Sequence, residues 1–290
     1  MKLKPGSVLP CILLLLLLQL RAVQSADGLL QAGGETLVYK VTYQGLLSAF
    51  LPVEIAQTTL HLHPGVETVA GEQLRHASLR VTTEPFPRME SFYPFRFDYH
   101  SWFDPRLSYT AVVDMRKRTS DSRHELLWFN RREGEVRRYR KEQQTGGADS
   151  LVLPDFVRQV IRLQQTAGFR ERGVFRLTES NVLDRLTMLY AVRHRPLQTG
   201  GSIELAVSNG KDLLGYNIAI EAKEKLIIDG RPIAAFRLRF SPNFVSAGDR
   251  GYAVRVWLSD DERRLPIRFH SSTLGGSIKL NLDQLTDAAQ

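Results

Sequence analysis

The chain is 290 residues long, 43% of them hydrophobic, with a formal net charge of +8 and a single cysteine, Cys11. A chain of this length can bury a full hydrophobic core without disulfide support. Because Cys11 lies in a segment that we expect to be removed, thiol redox chemistry, zinc–thiolate sites and a cysteine nucleophile are excluded from the mature protein.

The first 25 residues have the pattern of a secretory signal peptide. Two lysines precede an apolar run over residues 8–20, and small residues follow. A spanning helix needs about 20 apolar residues, so the run is short for a membrane anchor, which is the alternative interpretation. We expect cleavage after Ser25 and a periplasmic location. Residues 26–34 then form a flexible lead-in, and residues 35–285 form a single β-rich domain.

The positive charge is unevenly distributed. Removal of the signal peptide takes away three cations and no acid, which lowers the formal charge from +8 to +5. Between residues 116 and 141, ten cations accompany four acids. In an exported chain such a stretch could meet phospholipid head groups, lipopolysaccharide or another anionic envelope polymer, and no nucleic-acid partner is expected. The alternative is a solvated face of two strands, which charge runs usually form.

Alternating apolar and polar residues predict seven strands in the first half of the chain. They lie at residues 37–43 and 53–63 and around residues 77–81, 95–99, 107–113, 125–129 and 135–141. A meander without intervening helices argues against a parallel sheet.

Two helices are predicted after this meander. The first begins near Pro154, which suits a first helical turn, and ends at Gly168. The second follows Ser180 and Asn181, both good N-caps, and ends before Pro196. Both helices are amphipathic, so each should pack one stripe against the sheet.

Strands resume after residue 201. Asn-Gly at 209–210 and Asp-Gly at 229–230 predict tight hairpins, the clearest hairpin covers residues 252–271, and a last strand covers residues 277–282. About a dozen antiparallel strands with two helices predict a mainly β fold. Its sheet should be large and strongly curved, an open or closed barrel, with the helices against its concave side or mouth.

Two segments carry a recognisable motif. The second helix reads NVLDRLTMLYAVRHR, with the motif residues Asp184, Thr187, Leu189, Tyr190 and Arg193. The last hairpin reads VWLSDDERRLPIRFH, with the motif residues Trp257, Ser259, Asp260, Asp261, Arg263, Arg264, Pro266 and Arg268. Together they resemble the domain-of-unknown-function family numbered 3108, exported proteins of bacterial envelopes, although Arg185-Leu186 replaces the more usual Pro-Leu and Ile267 replaces Val. The resemblance implies a β-rich envelope protein, similar to lipoprotein-carrier half-barrels, with no established reaction.

The C-terminal strands offer the main candidate site. Alternation places these side chains on one face: Arg237, Arg239, Arg255, Trp257, Arg268, His270 and Lys279. Like charges opposite one another destabilise a sheet unless they are compensated. Either Glu204 and Glu221 pair with the cations to form a salt-laced outer surface, or the face binds anions. We take as candidate ligand-binding residues Tyr190, Arg193, Arg237, Arg239, Arg255, Trp257 and Arg268.

Two other clusters are weaker candidates. Asp260, Asp261 and Arg264 should shape a structural turn, because neighbouring arginines keep the acids ionised; a hydrolase that uses this acidic turn is the weaker alternative. His61 and His63 share a strand face, but a metal site needs at least three protein ligands. We predict no metal and no cofactor.

The sequence therefore favours a non-enzymatic periplasmic envelope protein. It should bind an apolar or anionic lipid-like ligand in or on a curved β-sheet, and contact with a membrane surface is compatible with this interpretation. The alternative partner is an envelope protein, which would make the chain a protein-binding or scaffolding factor in envelope assembly.

Overall fold

The computed structural model describes residues 34–142, 153–162, 168–228, 230–243, 253–273 and 275–283. The expected signal peptide, most of the lead-in and the start of the 252–271 hairpin lie outside the described residues. Within them, no helix is long and apolar enough to cross a membrane.

Strands dominate the described residues. The first nine are β1 Glu35–Gly45, β2 Val53–Leu62, β3 Glu67–Val69, β4 Glu72–Thr82, β5 Arg96–Phe103, β6 Thr110–Arg118, β7 Ser122–Asn130, β8 Glu135–Lys141 and β9 Phe169–Arg176. The remaining seven are β10 Val182–Leu183, β11 Ser202–Ser208, β12 Leu213–Ile228, β13 Arg231–Pro242, β14 Val254–Ser259, β15 Pro266–Thr273 and β16 Gly276–Leu282. The helices are α1 Pro87–Phe92, α2 Asp155–Ile161 and α3 Arg185–Arg193, and a 3-10 turn covers Leu46–Ser48.

All strands except β3 follow one path through a single sheet. The order is β10-β11-β12-β13-β14-β15-β16-β1-β2-β4-β5-β6-β7-β8-β9, and β3 pairs with β4. Neighbouring strands are antiparallel, apart from the parallel pair of β10 with β11. The prediction of a mainly β protein with one large antiparallel sheet is confirmed. The sheet is open, with β10 and β9 at its two edges.

The sheet curls so that its two ends face each other. Val113 and Leu127, from β6 and β7, share a buried cluster with Val182 of β10, and Leu213 of β12 packs against that cluster. Only five residues, 177–181, connect the edge strands β9 and β10. The face that carries Val113 is therefore the inner, concave face.

The helices α2 and α3 cover opposite faces of this sheet. Ser101 of β5 lies opposite Val113 and bonds to Asp184 at the start of α3, so α3 lies on the inner face. The next residue, Trp102, points to the outer face, because side chains alternate along a strand. There it shares a cluster with Val157 and Val160 of α2. We expected both helices on the concave side or at the mouth. Instead α2 covers the outer face, where apolar side chains of β4 to β8 need burial.

The structure differs from the predicted elements in several places. The N-cap of α3 is Asp184 rather than Ser180 or Asn181, because the two residues before it are used in β10. Helix α1 was not predicted. Nor were strands β3, β9 and β10; in β9 six of eight residues are exposed and the apolar alternation is lost.

Candidate anion-binding site

Four basic side chains form a row across adjacent strands. Lys279 of β16 lies opposite His270 of β15, His270 opposite Arg255 of β14, and Arg255 opposite Arg239 of β13. Directly opposed residues in antiparallel strands have Cβ atoms about 5 Å apart. These four residues are called the basic row below.

The basic row lies on the outer face of the sheet. Phe269, which precedes His270, contacts the buried ring of Tyr39 with 5.6 Å between ring centroids. Tyr39 in turn donates a hydrogen bond to the Pro266 carbonyl oxygen (2.6 Å). Since Phe269 faces inward, His270 faces outward with the strand neighbours opposite it.

A second row follows, two residues further from the strand ends. Arg237, Trp257, Arg268 and Asn281 lie opposite one another on β13 to β16. Arg268 donates from Nε to the Asn281 side-chain oxygen (2.7 Å), and its guanidinium lies 5.8 Å from the centre of the Trp257 ring. Burial lowers the pKa of Arg268 from its usual value, and Glu224 opposes this effect.

Two glutamates of β12 reach these rows. Glu221 accepts hydrogen bonds from Nε of Arg237 and Nε of Arg255, both at 3.0 Å. Glu224 accepts from Arg237 Nη1 (3.1 Å) and from the Trp257 indole N–H. The sequence identified Glu221 but proposed Glu204 as the second carboxylate. Simple alternation cannot place residues 221 and 224 on one face, and a β-bulge between residues 220 and 222 brings them together.

Compensation of the basic row is incomplete. In the described part of the chain, Arg255 is its one member in an ion pair. Arg239 donates to the Ser241 hydroxyl (3.1 Å), and His270 bonds to Ser272 (3.2 Å). The pKa of His270 is lowered first by burial and then by Lys279, Arg255 and Arg268. Three surrounding cations therefore disfavour a fourth positive charge at this position.

The two candidate residues of α3 lie elsewhere, on the inner face. Arg193 donates to both carboxylate oxygens of Glu35, at 2.7 and 2.8 Å, and to the Arg263 carbonyl oxygen (3.0 Å). Tyr190 is 1% exposed, and burial raises the pKa of its hydroxyl. Among the predicted ligand-binding residues, the structure thus brings together those of β13 to β15 and separates them from Tyr190 and Arg193.

The sequence matches one family over most of its length. Residues 38–283 match the family described as "Protein of unknown function (DUF3108)". The chain belongs to the DUF3108 family. None of the curated proteins matches it.

Two solved structures are similar to this DUF3108 member. A β-barrel-like protein of the DUF1849 family from Brucella abortus has a TM-score of 0.47 at 5% identity, covering 87% of this chain and 96% of its own. A "putative lipoprotein" from Parabacteroides distasonis has a TM-score of 0.32 at 6% identity, with coverage of 88% and 96%.

In this DUF3108 chain the helix motif forms a buried polar network. The Asp184 carboxylate, 0% exposed, accepts six hydrogen bonds. The donors are the Leu186 and Thr187 backbone N–H groups and the hydroxyls of Tyr99, Ser101, Thr110 and Thr187. Asp184 at one end of α3 is thereby fixed to β5 and β6, whereas Arg193 at the other end is fixed to β1. Sequence analysis gave these residues as motif positions without their partners.

The acidic turn of the second motif makes contacts within its own hairpin and with β12 and β13. Asp261 accepts hydrogen bonds from the Ser259 hydroxyl (2.8 Å) and the Arg264 backbone N–H (3.0 Å). Asp260 pairs with Lys223 and Arg264, and the pKa of Asp260 is lowered chiefly by the Lys223 hydrogen bond. Arg264 has a left-handed φ of 48° and lies over the Phe236 ring.

Histidines form a further cluster that the sequence revealed only in part. His61 and His63 have ring centroids 4.2 Å apart, and His63 stacks on His76 at 3.9 Å. His76 bonds to His100 (3.0 Å) and stacks on Trp102. Burial, with smaller effects from neighbouring histidines, lowers the pKa of His63 to about 4 and that of His76 to about 3. No group of three potential ligands among the described residues is arranged to hold a metal ion.

The cation-rich stretch from residue 116 to 141 is paired in part. Arg116 bonds to the buried Asp114, and Arg123 and Arg140 share Glu125. Burial alone would raise the pKa of Asp114, but hydrogen bonds from His124 and Arg116 lower it. With Arg137, which pairs with Glu133 and Glu135, four of the ten cations of this stretch have a carboxylate partner among the described residues.

Proposed function

We propose that this DUF3108 protein is an exported envelope protein that binds an anionic lipid-like ligand through the basic row. The proposal rests on one observation. Four basic residues oppose one another on four adjacent strands, and only Arg255 among them has a carboxylate partner in the described structure. The signal-peptide pattern of residues 1–25 supports export to the periplasm.

The arrangement favours an anion for electrostatic reasons. Each directly opposed like-charged pair destabilises a sheet by roughly 0.2–1 kcal/mol. A phosphate or carboxylate between Arg239, Arg255 and Lys279 would replace this repulsion with charge-assisted hydrogen bonds, and arginine donates two parallel hydrogen bonds to such groups. The lowered pKa of His270 agrees with a positive potential at this place.

A lipid-like anion suits the surroundings better than a purely polar one. Ile278 precedes Lys279 and is 42% exposed near the start of β16, with its side chain on the face opposite to the basic row. Its partner across the sheet, Tyr43, and the next position, Val53, are also exposed in part. An acyl chain whose head group is bound at the basic row would reach this apolar surface by passing around the strand ends.

Calorimetry with a water-soluble, short-chain phosphatidylglycerol below its micellar concentration tests this proposal. We expect the double variant Arg239→Gln/Arg255→Gln to bind at least about tenfold more weakly, because two charge-assisted contacts are lost. Arg231→Gln is the matched control, since it removes an exposed arginine from the other end of β13. Unchanged binding by the double variant, or an equal loss in the control, would overturn the proposal.

NMR titration of His270 gives a second readout. A bound anion offsets the field of Lys279 and Arg255, so the pKa of His270 should rise when the ligand is present. An unchanged titration in the presence of saturating ligand would place the anion elsewhere. If the soluble lipid does not bind and crosslinking captures one specific protein on this face, the scaffolding alternative is favoured instead.

A further inference from the structure

The connection between β1 and β2 exposes large apolar side chains in an ordered loop. Leu46 is 66% exposed, Phe50 62% and Leu51 65%. Single exposed apolar residues are normal on a protein surface, but a contiguous group of them marks an interaction site.

Several hydrogen bonds fix this loop. The Phe50 N–H donates to the Gly45 carbonyl oxygen (2.8 Å), and the Gln44 side-chain amide donates to the Phe50 carbonyl oxygen (3.0 Å). The Ser48 hydroxyl donates to the Leu51 carbonyl oxygen (2.6 Å). The loop also packs closely against the β15–β16 turn, where a Cβ on Gly45 would lie 2.4 Å from the Gly275 carbonyl oxygen. The exposure is therefore built into the fold.

The backbone of the loop is strained to hold this arrangement. Ala49 has φ of 48° and Phe50 has φ of 61°, in the left-handed region that residues with a side chain seldom occupy. Strain at non-glycine residues persists only where the surrounding structure enforces it, and it is concentrated at functional sites. Phe50, one of the two strained residues, is also one of the exposed large apolar residues.

The exposed apolar surface continues along the same end of the sheet. Val53 is 41% exposed at the start of β2, and Ile278 is 42% exposed near the start of β16. With Leu46, Phe50 and Leu51 these residues are called the apolar rim. The next hairpin, between β4 and β5, adds Phe92, 85% exposed, and Tyr93, 46% exposed.

The basic row lies just behind the apolar rim. Lys279 is three residues from the start of β16, and Arg239 is three residues from the end of β13. At roughly 3.3 Å per residue, each lies about 10 Å from its strand end. The polar head-group region of a bilayer leaflet is about 5–8 Å thick outside the hydrocarbon core. A protein seated by its apolar rim would thus hold the basic row close to the lipid phosphates.

We propose that the apolar rim docks on an anionic lipid bilayer, with the side chains of Phe50 and Leu51 in the interface and the basic row at the head groups. This inference rests on the proposed function and deepens it, because it names the bilayer as the source of the lipid. Positive charge beside exposed apolar side chains is the combination that binds such surfaces.

A fluorescent probe at the apolar rim tests the depth of contact. In the chain without the expected signal peptide, residues 26–290, which has no cysteine, Phe50→Cys carries an environment-sensitive dye, and the protein is mixed with vesicles that contain phosphatidylglycerol. Ile227→Cys is the matched control, since Ile227 is 64% exposed but lies at the opposite end of β12. We expect a blue shift at position 50 and none at position 227. Equal shifts at both positions, or no shift at position 50 despite vesicle binding, would overturn the inference.

Vesicle cosedimentation provides the second measurement. Phe50→Ser/Leu51→Ser should bind the same vesicles at least about tenfold more weakly, whereas Ile227→Ser should bind as the original chain does. Both variants change exposed side chains, so their thermal unfolding should be unaltered. If the rim variant loses vesicle binding and keeps binding the soluble short-chain lipid, both proposals stand. If it keeps vesicle binding, the rim inference fails alone. If the original chain binds neither vesicles nor the soluble lipid, the proposed function fails with it.

Discussion

The polar network around α3 on the inner face and the basic row on the outer face differ in how their charged side chains are compensated. On the inner face the Asp184 carboxylate is fully buried and accepts six hydrogen bonds. On the outer face Lys279, Arg255 and Arg239 remain in partial contact with water, and among the described residues only Arg255 of these three pairs with a carboxylate.

The difference separates two kinds of charged residue. Buried charges must be paired within the protein, because an uncompensated one destabilises the fold by several kcal/mol. Half-exposed charges can stay uncompensated at small cost, which leaves them available to a ligand. We therefore assign Asp184 and Arg193 to fold stability, and we propose ligand binding for the basic row alone.

Substitution of Asp184 should have the largest effect on stability. Asp184→Ala removes the N-cap of α3 and leaves buried hydroxyls of Ser101 and Thr110 without their acceptor. We expect the free energy of unfolding to fall by about 3–5 kcal/mol. Urea denaturation measures it. Ser180→Ala, at an exposed position where a cap was predicted, should change it by less than about 0.5 kcal/mol. A similar loss in both variants would contradict the importance of the network.

Breaking the Arg193–Glu35 ion pair should have the next largest effect on stability. Arg193→Met leaves Glu35 without its partner near the inner face, so we expect a loss of about 2–4 kcal/mol in unfolding free energy. Adding Glu35→Gln should restore part of that loss, because no unpaired carboxylate remains. A double-mutant cycle from denaturation curves gives the coupling energy. Strictly additive losses would show that the two side chains act independently.

The histidine cluster should make the stability of the protein depend on pH. In the folded state the pKa values of His63 and His76 are about 4 and 3, below the unfolded value of 6.5. The unfolded chain binds more protons between these values, so stability is fully present above pH 6.5 and falls as the pH drops towards 4. His76→Phe keeps an aromatic ring against Trp102 and should flatten this dependence. Equal denaturation midpoints for the two chains at every pH would refute the assignment.

A substitution in the basic row should change the free energy of unfolding least, and it should raise this free energy rather than lower it. Arg239→Gln relieves repulsion with Arg255 directly across the strand pair. We expect a gain of a few tenths of a kcal/mol at low ionic strength, which should vanish when salt screens the charges. Comparison of denaturation midpoints in low and high salt measures it. A loss of stability at low salt would show that the row is already compensated.

Sequence analysis was accurate where information is local. The Asn-Gly turn at 209–210 correctly joined β11 and β12, and strict alternation correctly placed Arg239, Arg255 and His270 on one face. The register is regular from Val254 to Trp257 of β14, the stretch opposite these residues, and shifts only after Trp257. Side-chain direction in this stretch therefore follows from position alone.

The alternation of apolar and polar residues could not predict contacts between distant residues or irregular strand geometry. The donors to Asp184 from β5 and β6 lie 74 to 85 residues away in the chain. The bulge that brings Glu221 and Glu224 to one face has no sequence signature that alternation can use. The apolar rim was missed for the opposite reason, since Leu46 and Phe50 look like core residues until their exposure is known.

The pairing of β1 with β16 at the centre of the sheet has a consequence for how the protein is made. Tyr39 lies opposite Leu282, so the central strand pair joins residues 243 positions apart. Closing a loop of this length makes folding slow. The pairing of β1 with β16 cannot form until β16, the last strand, has been synthesised. For the export that we propose, this delay would keep the chain unfolded until translocation is complete.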